Sequence, residues 1–132
     1  STLLPSIHAN NNEMIVASIN DKENVIVTSA YRDDNLITGI NAPLAVNTVS
    51  NANDDIGAAY VFIKNQLTGS WQQVYIIKPL TTEAGQHFGW RSELFGNRIA
   101  IAAKWESSGG EGINPDLVPG ASAQSGAVFI FE

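Results

Sequence analysis

Gly96-Asn97-Arg98-Ile99-Ala100-Ile101-Ala102-Ala103 and Ser125-Gly126-Ala127-Val128-Phe129-Ile130-Phe131 are two short runs, each with a glycine near its start, and Ile99–Ala103 and Ala127–Phe131 within them are apolar on both alternating faces. Runs of this length, rich in isoleucine, valine and phenylalanine, read as strands rather than helices. A strand apolar on both faces needs a covering layer above and below. The 20-residue segment from Glu106 to Ser125 joins them, too long for a tight hairpin turn.

The same signature recurs upstream. Met14 to Ile19, Val25 to Ala30, Gly57 to Ile63, Trp71 to Lys78 and Phe88 to Leu94 are further strand-sized segments bounded by Gly, Asn, Asp, Ser or Pro. Asn65 to Ser70, carrying Thr68-Gly69, predicts a hairpin between Tyr60-Val61-Phe62 and Trp71-Gln72-Gln73-Val74. No stretch shows helical periodicity, so an all-β chain of seven or eight strands is expected. At an offset of 74, Ile99 to Ala103 falls on Val25 to Ser29, and Trp105 on Tyr31. Gly112-Ile113-Asn114 falls on Gly39-Ile40-Asn41 at 73, and Gly126 to Phe131 on Gly57 to Phe62 at 69. The chain therefore reads as one domain, 1–132, made of two repeats, about 1–63 and 64–132. In each, a long polar loop (Arg32 to Ile56, Glu106 to Ser125) occupies the same place, and the two loops are expected to leave the same end.

Composition narrows the function classes. Hydrophobic residues make up 44% and charged residues 15%, which is too apolar for a disordered chain. No apolar run reaches the ~20 residues of a membrane-spanning helix. The formal net charge of −6, with no basic patch, argues against nucleic-acid binding. There are no cysteines, so neither disulfides nor thiolate metal sites are available.

His87-Phe88-Gly89-Trp90, the strand Ile99 to Ala103, the variable loop and Gly126 to Phe131 follow one another in an order that resembles the bacterial FG-GAP repeat. Trp71-Gln72-Gln73 resembles that family's W-x-Q segment. The first copy departs from the pattern, with Met14-Ile15 in place of Phe-Gly and Thr28-Ser29-Ala30 in place of the Gly-Ala-Pro element. The resemblance implies four-stranded β-propeller blades of the integrin α-subunit type, part of a larger or oligomeric propeller; a β-sandwich is the alternative. It also implies extracellular or cell-surface recognition or adhesion, with a protein or glycan bound through blade loops, and no enzymatic activity. Many family members carry a D-x-D-x-D-G calcium loop. Here Ile19 to Asn24 and Phe95-Gly96-Asn97 stand there without its oxygen ligands, so no calcium, other metal or cofactor is expected.

The candidate ligand-binding residues are Trp105 and Tyr31, at a strand end beneath a long loop, and Asp33, Asp34, Asp54 and Asp55, which open and close the first loop. Such carboxylates either gather a cation or form a solvated acidic loop, and Glu106, Glu111 and Asp116 are the sparser counterparts in the second. Trp71 and Trp90 are expected in the core. His8 and His87 match no metal-ligand or nucleophile pattern. An alternative function is self-assembly: the first residues align with the end of a blade's outer strand, so the chain is expected to need neighbouring chains, as a homo-oligomer or fibre, or the rest of a longer chain.

Overall fold

The computed structural model describes residues 2–3, 16–20, 22, 24–43, 54–118, 120–121 and 123–132. The described residues form eight β-strands and no helix. They are β1 (Val16–Asn20), β2 (Val25–Ala30), β3 (Ile40–Asn41), β4 (Ala58–Lys64), β5 (Trp71–Ile77), β6 (Phe88–Phe95), β7 (Arg98–Ala103) and β8 (Ala127–Phe131). Two antiparallel sheets result, one in the order β1-β2-β4-β5-β3 and one in the order β6-β7-β8. The expected pairing of Ile99–Ala103 with the last strand is present, with Ile99 opposite Phe131 and Ala103 opposite Ala127. The hairpin β4–β5 is also as expected, closed by Asn65, whose Oδ1 accepts from the N–H groups of Leu67 and Thr68.

β1-β2-β4 and β6-β7-β8 are the same unit twice, but not at the offset of 74. Asp33 N–H donates to Ala30 O, and Glu106 N–H to Ala103 O. Gly57 N–H donates to Asp33 O, and Gly126 N–H to Glu106 O. Asn35 N–H is held by the Asp33 carboxylate, and Ser108 N–H by that of Glu106. These pairs fix the spacing at 73 after β2 (106 − 33) and at 69 on β4 (126 − 57). The ladders then require 75 on β1, where Val16 opposite Ser29 corresponds to Arg91 opposite Ala102. The first hairpin loop is two residues longer, and 74 is the mean across it. Trp105 therefore corresponds to Arg32 and not to Tyr31, whose counterpart is Lys104.

A shift of one residue exchanges the faces of a strand, so the correction bears on how the sheets stack. The face of the first sheet bearing Val27, Ala59, Val61 and Ile77 packs on Phe88, Leu94, Ile101 and Ala103 of the second. At the corrected spacing, Ile101, Ala103 and Phe129 are counterparts of Thr28, Ala30 and Tyr60, which lie on the first sheet's opposite face. Dissimilar faces meet, as in a stack of repeated layers. That opposite face carries its own cluster of Ala30, Ala58, Tyr60, Phe62 and Ile76, against which Leu3, Ile26, Ile37 and Trp71 pack.

Phe88 and Gly89 join the sheets. Phe88 is fully buried, with Phe129 and Phe131 edge-on to its ring at 5.4 and 6.2 Å. Gly57 forms a parallel bridge to Phe88 at φ +92°, and a β-carbon there would overlap the Phe88 carbonyl. Across the interface the Ser29 and Ser92 hydroxyls hydrogen-bond at 2.7 Å. Leu94 N–H donates to Ser18 Oγ at 3.1 Å.

The expectation that β8 is buried on both faces is not met. Val128 and Ile130, on the outer face of the second sheet, are 65% and 60% exposed. The equivalent residues of the first sheet, Ala59 and Val61, are buried by the second sheet. The first unit's counterpart of Phe88-Gly89, along with His8, Leu4 and Pro5, lies outside the described residues.

Candidate functional site

The long loops leave and re-enter the sheets at the same end, opposite the β1–β2 and β6–β7 hairpins, where Asn20 reaches the Gly96 carbonyl. Residues 44–53 of the first loop lie outside the described residues. At the loop end the chain gathers an aromatic cluster. The Tyr31 ring stands edge-on to His87 at 5.2 Å and to Trp90 at 5.1 Å. His87 stacks parallel to Trp90 at 6.2 Å and lies against Trp105 at 4.2 Å. The Lys104 ammonium sits over both indoles, 4.2 Å from the Trp90 centroid and 4.8 Å from that of Trp105, a double cation–π contact.

Local backbone builds the cluster. His87 adopts φ +53°, in the left-handed region that non-glycine residues enter uncommonly, Asn, Asp and His more often than the rest. Its N–H is held by the Asp55 carbonyl at 3.1 Å, while its own carbonyl accepts from Trp90 N–H at 3.2 Å. The tight turn places three of the four residues from His87 to Trp90 in contact roles: His87 and Trp90 in the cluster, Phe88 in the core. Trp105 N–H donates to Gln86 O, which ties the end of β7 to the same turn.

The candidate residues separate into two groups. Tyr31, Trp105 and Asp55 come together: Asp55 accepts from Arg32 Nε at 3.1 Å and lies 3.8 Å from His87 Nε2. Asp54 sits beside them, half-buried, and its carbonyl accepts from Gly85 N–H. Asp33 and Asp34, by contrast, are buried beneath the surface, as parts of neither a solvated loop nor a rim. Asp33 accepts at Oδ2 from the Tyr60 hydroxyl at 2.6 Å, and at Oδ1 from Lys78 Nζ at 2.8 Å and Asn35 N–H. Asp34 Oδ1 accepts from Asp55 N–H at 2.8 Å, while its Oδ2 is buried without a hydrogen-bond partner among the described residues. Burial pushes the Asp34 carboxyl above the usual carboxylate range. No group of three or more His, Cys, Asp and Glu with metal-holding geometry occurs among the described residues.

Sequence reasoning missed His87 and Lys104 as members of the cluster, and Trp90 was expected in the core. The dipeptide Lys104-Trp105, a cation beside an aromatic at a strand end, is the signal that was present. His87 Nδ1 is buried without a hydrogen-bond partner among the described residues, and burial holds the imidazole below its ordinary pKa, so it is neutral near neutral pH. Neither family models, nor curated proteins, nor solved structures give a match to this chain.

Proposed function

We propose that the two sheets are consecutive blades of a β-propeller-type stack, and that the chain is a recognition module rather than an enzyme. In this reading it works outside the cell or at its surface and binds a protein or glycan at the loop end. The observation that carries the binding reading is the convergence of Tyr31, His87, Trp90, Trp105, Lys104, Arg32 and Asp55 at that end. Half-exposed aromatic faces rimmed by one carboxylate and two cations suit a sugar ring or a planar peptide group, which takes stacking from the ring and hydrogen bonds from the rim. The meeting of dissimilar faces supports blades over a two-fold sandwich. The chain probed against a panel of immobilised glycans and extracellular proteins is expected to bind a small subset. Trp105→Ala is expected to abolish that binding while leaving the circular dichroism spectrum unchanged. Binding unaffected by this change removes the loop end as the site.

The exposed outer face of β7–β8 favours a second reading, self-assembly, in which the interface itself is the function. Val128 and Ile130 are exposed there, as is Phe95 at the end of β6, and among the described residues β8 is paired along one edge only. Mass measured by light scattering over a concentration series decides it: a rising mass that Val128→Glu returns to the monomer value supports self-assembly, and a constant monomer mass refutes it.

A further inference from the structure

Among the described residues, Lys78 is the one charged side chain wholly enclosed together with its counter-ion. Its exposure is 0%, that of Asp33 1%, and their Nζ–Oδ1 distance is 2.8 Å. The lysine follows β5 directly and its backbone N–H is pinned to the Gly39 carbonyl at 2.9 Å, which aims the side chain inward. Both acceptors recorded for its Nζ belong to Asp33, the carboxylate Oδ1 and the backbone carbonyl at 3.4 Å. The carboxylate is held in turn by the buried Tyr60 hydroxyl on Oδ2 and the Asn35 N–H on Oδ1. Asp34, adjacent and fully buried, keeps Oδ2 unpaired.

The turn that follows β2 does not require this pair. Glu106, the counterpart of Asp33, performs the turn-holding hydrogen bond to Ser108 and has no ion pair among the described residues. What the first unit adds is an amine, a second buried carboxyl and a phenol around one carboxyl carbon.

We propose that Lys78 and Asp33 condense to an intramolecular amide, an isopeptide bond that ties the end of β5 to the end of β2. The Nζ lone pair attacks Asp33 Cγ, the new N–C bond forms, and one Cγ–O bond breaks. An ammonium and a carboxylate become an amide and one water, so the ion pair holds every atom of the products and no co-reactant is needed. Burial assists each stage. Enclosure disfavours the charged pair and pushes the Lys78 ammonium below its ordinary pKa, towards the nucleophilic amine. Tyr60 O–H and Asn35 N–H are positioned for the negative charge that develops on the carboxyl oxygens. Asp34, which holds a proton more tightly than an exposed carboxyl, carries it between the departing oxygen and Nζ. The amine and the carboxyl are already in contact, which removes the entropic cost of bringing them together. The product leaves no buried charge at the pair. In a chain with no cysteine, it provides the covalent cross-link a disulfide would otherwise supply.

The intact chain is purified in its native state, held at neutral pH, then denatured and weighed by mass spectrometry. The expected mass is one water below that of the sequence. Trypsin leaves the Lys78–Pro79 bond intact in either case, so the expected product is a branched fragment joining 33–64 to 65–91 in place of two separate peptides. A full-mass chain that releases 33–64 and 65–91 as separate peptides overturns the proposal. So does a one-water loss that persists in Lys78→Met, because an aspartyl cyclisation would then be its source. Asp34→Asn keeps the Oδ1 acceptor for Asp55 N–H but carries no proton, so it is expected to fold, by circular dichroism, and remain at full mass. A cross-linked Asp34→Asn chain overturns the role given to Asp34.

Discussion

Phe88 and Phe95 open and close the same strand, and replacing each by alanine separates two effects that composition alone merges. Phe88 is fully enclosed between the sheets, against Phe129, Phe131 and the cluster around Ile101, whereas Phe95 is 85% exposed on the outer face. Truncating a buried phenylalanine removes its transfer free energy and leaves a cavity, at a cost of about 3–5 kcal/mol. Domains of this kind are stable by about 5–15 kcal/mol, so Phe88→Ala should remove about a fifth or more of the total. Phe95→Ala loses little buried area and should fall within about 0.5 kcal/mol of the parent. Urea unfolding followed by tryptophan fluorescence, at one fixed protein concentration, measures both from the midpoint shift at constant slope. A Phe88→Ala cost below about 1 kcal/mol would refute the sheet–sheet contact, because a ring with that many neighbours cannot be deleted cheaply from a packed interior.

Gly57→Ala should destabilise as severely as the Phe88 change, since its β-carbon would overlap backbone that cannot yield, at φ +92°; a soluble Gly57→Ala chain with an unchanged urea midpoint would contradict the bridge. Ser29→Ala and Ser92→Ala should each cost about 1–3 kcal/mol by leaving the other hydroxyl buried and unpaired. The double variant should cost less than the sum, and strict additivity in a double-mutant cycle would place the two serines apart. For His87 the native pKa lies below the unfolded one. The stability due to its neutral form is therefore complete above about pH 7 and is lost as pH falls through the ordinary histidine value towards the native one. Thermal melts should show an extra loss as pH falls below about 7 that His87→Asn lacks, asparagine being tolerant of the positive φ; identical profiles would refute it.

Much of the fold was legible because it is written in local chemistry. The hairpin at Asn65 to Ser70 follows from Asx-turn residues between two β-branched and aromatic runs. The β7–β8 pairing follows from two doubly apolar strands recurring in the same order upstream. The face of each strand was not legible. In a strand apolar on both sides, such as Ile99–Ala103, alternation carries no information about which side looks inward. Only the hydrogen bonds of Asp33 and Glu106 to the glycines after the loops fix the register. The candidate site was half legible for a related reason. Trp105 and Tyr31 could be placed at strand ends, but their meeting point, His87, reaches the cluster through a left-handed backbone turn that no periodicity announces. Asp33 and Asp34 look like a solvated acidic pair in sequence. Their burial depends on Lys78 and Tyr60, which lie 45 and 27 residues away.

The two-residue difference between the β1–β2 and β6–β7 hairpins has a physical consequence for the exposed face. If β2 and β7 matched at 74, Val27 and Ile101 would be equivalents facing each other, and the pair of sheets would be a closed two-fold sandwich with its like faces spent. At 73, Val27 matches Ala100 and Val61 matches Ile130, which look outward. The surface that the second sheet turns to solvent is therefore the same surface that the first sheet buries. In the first unit Phe88 and Gly89 seal it, Gly89 lying so close to the Ala58 carbonyl that it leaves no room for a β-carbon. The two surfaces differ by design at their margin. Ser18 on the buried copy is replaced by Glu93 on the open one, where Arg91 lies two residues along the same strand face, so charge rims the apolar centre of Ala100, Ala102, Val128 and Ile130. A charged rim around an apolar centre keeps such a face soluble while leaving its middle able to dock a further layer.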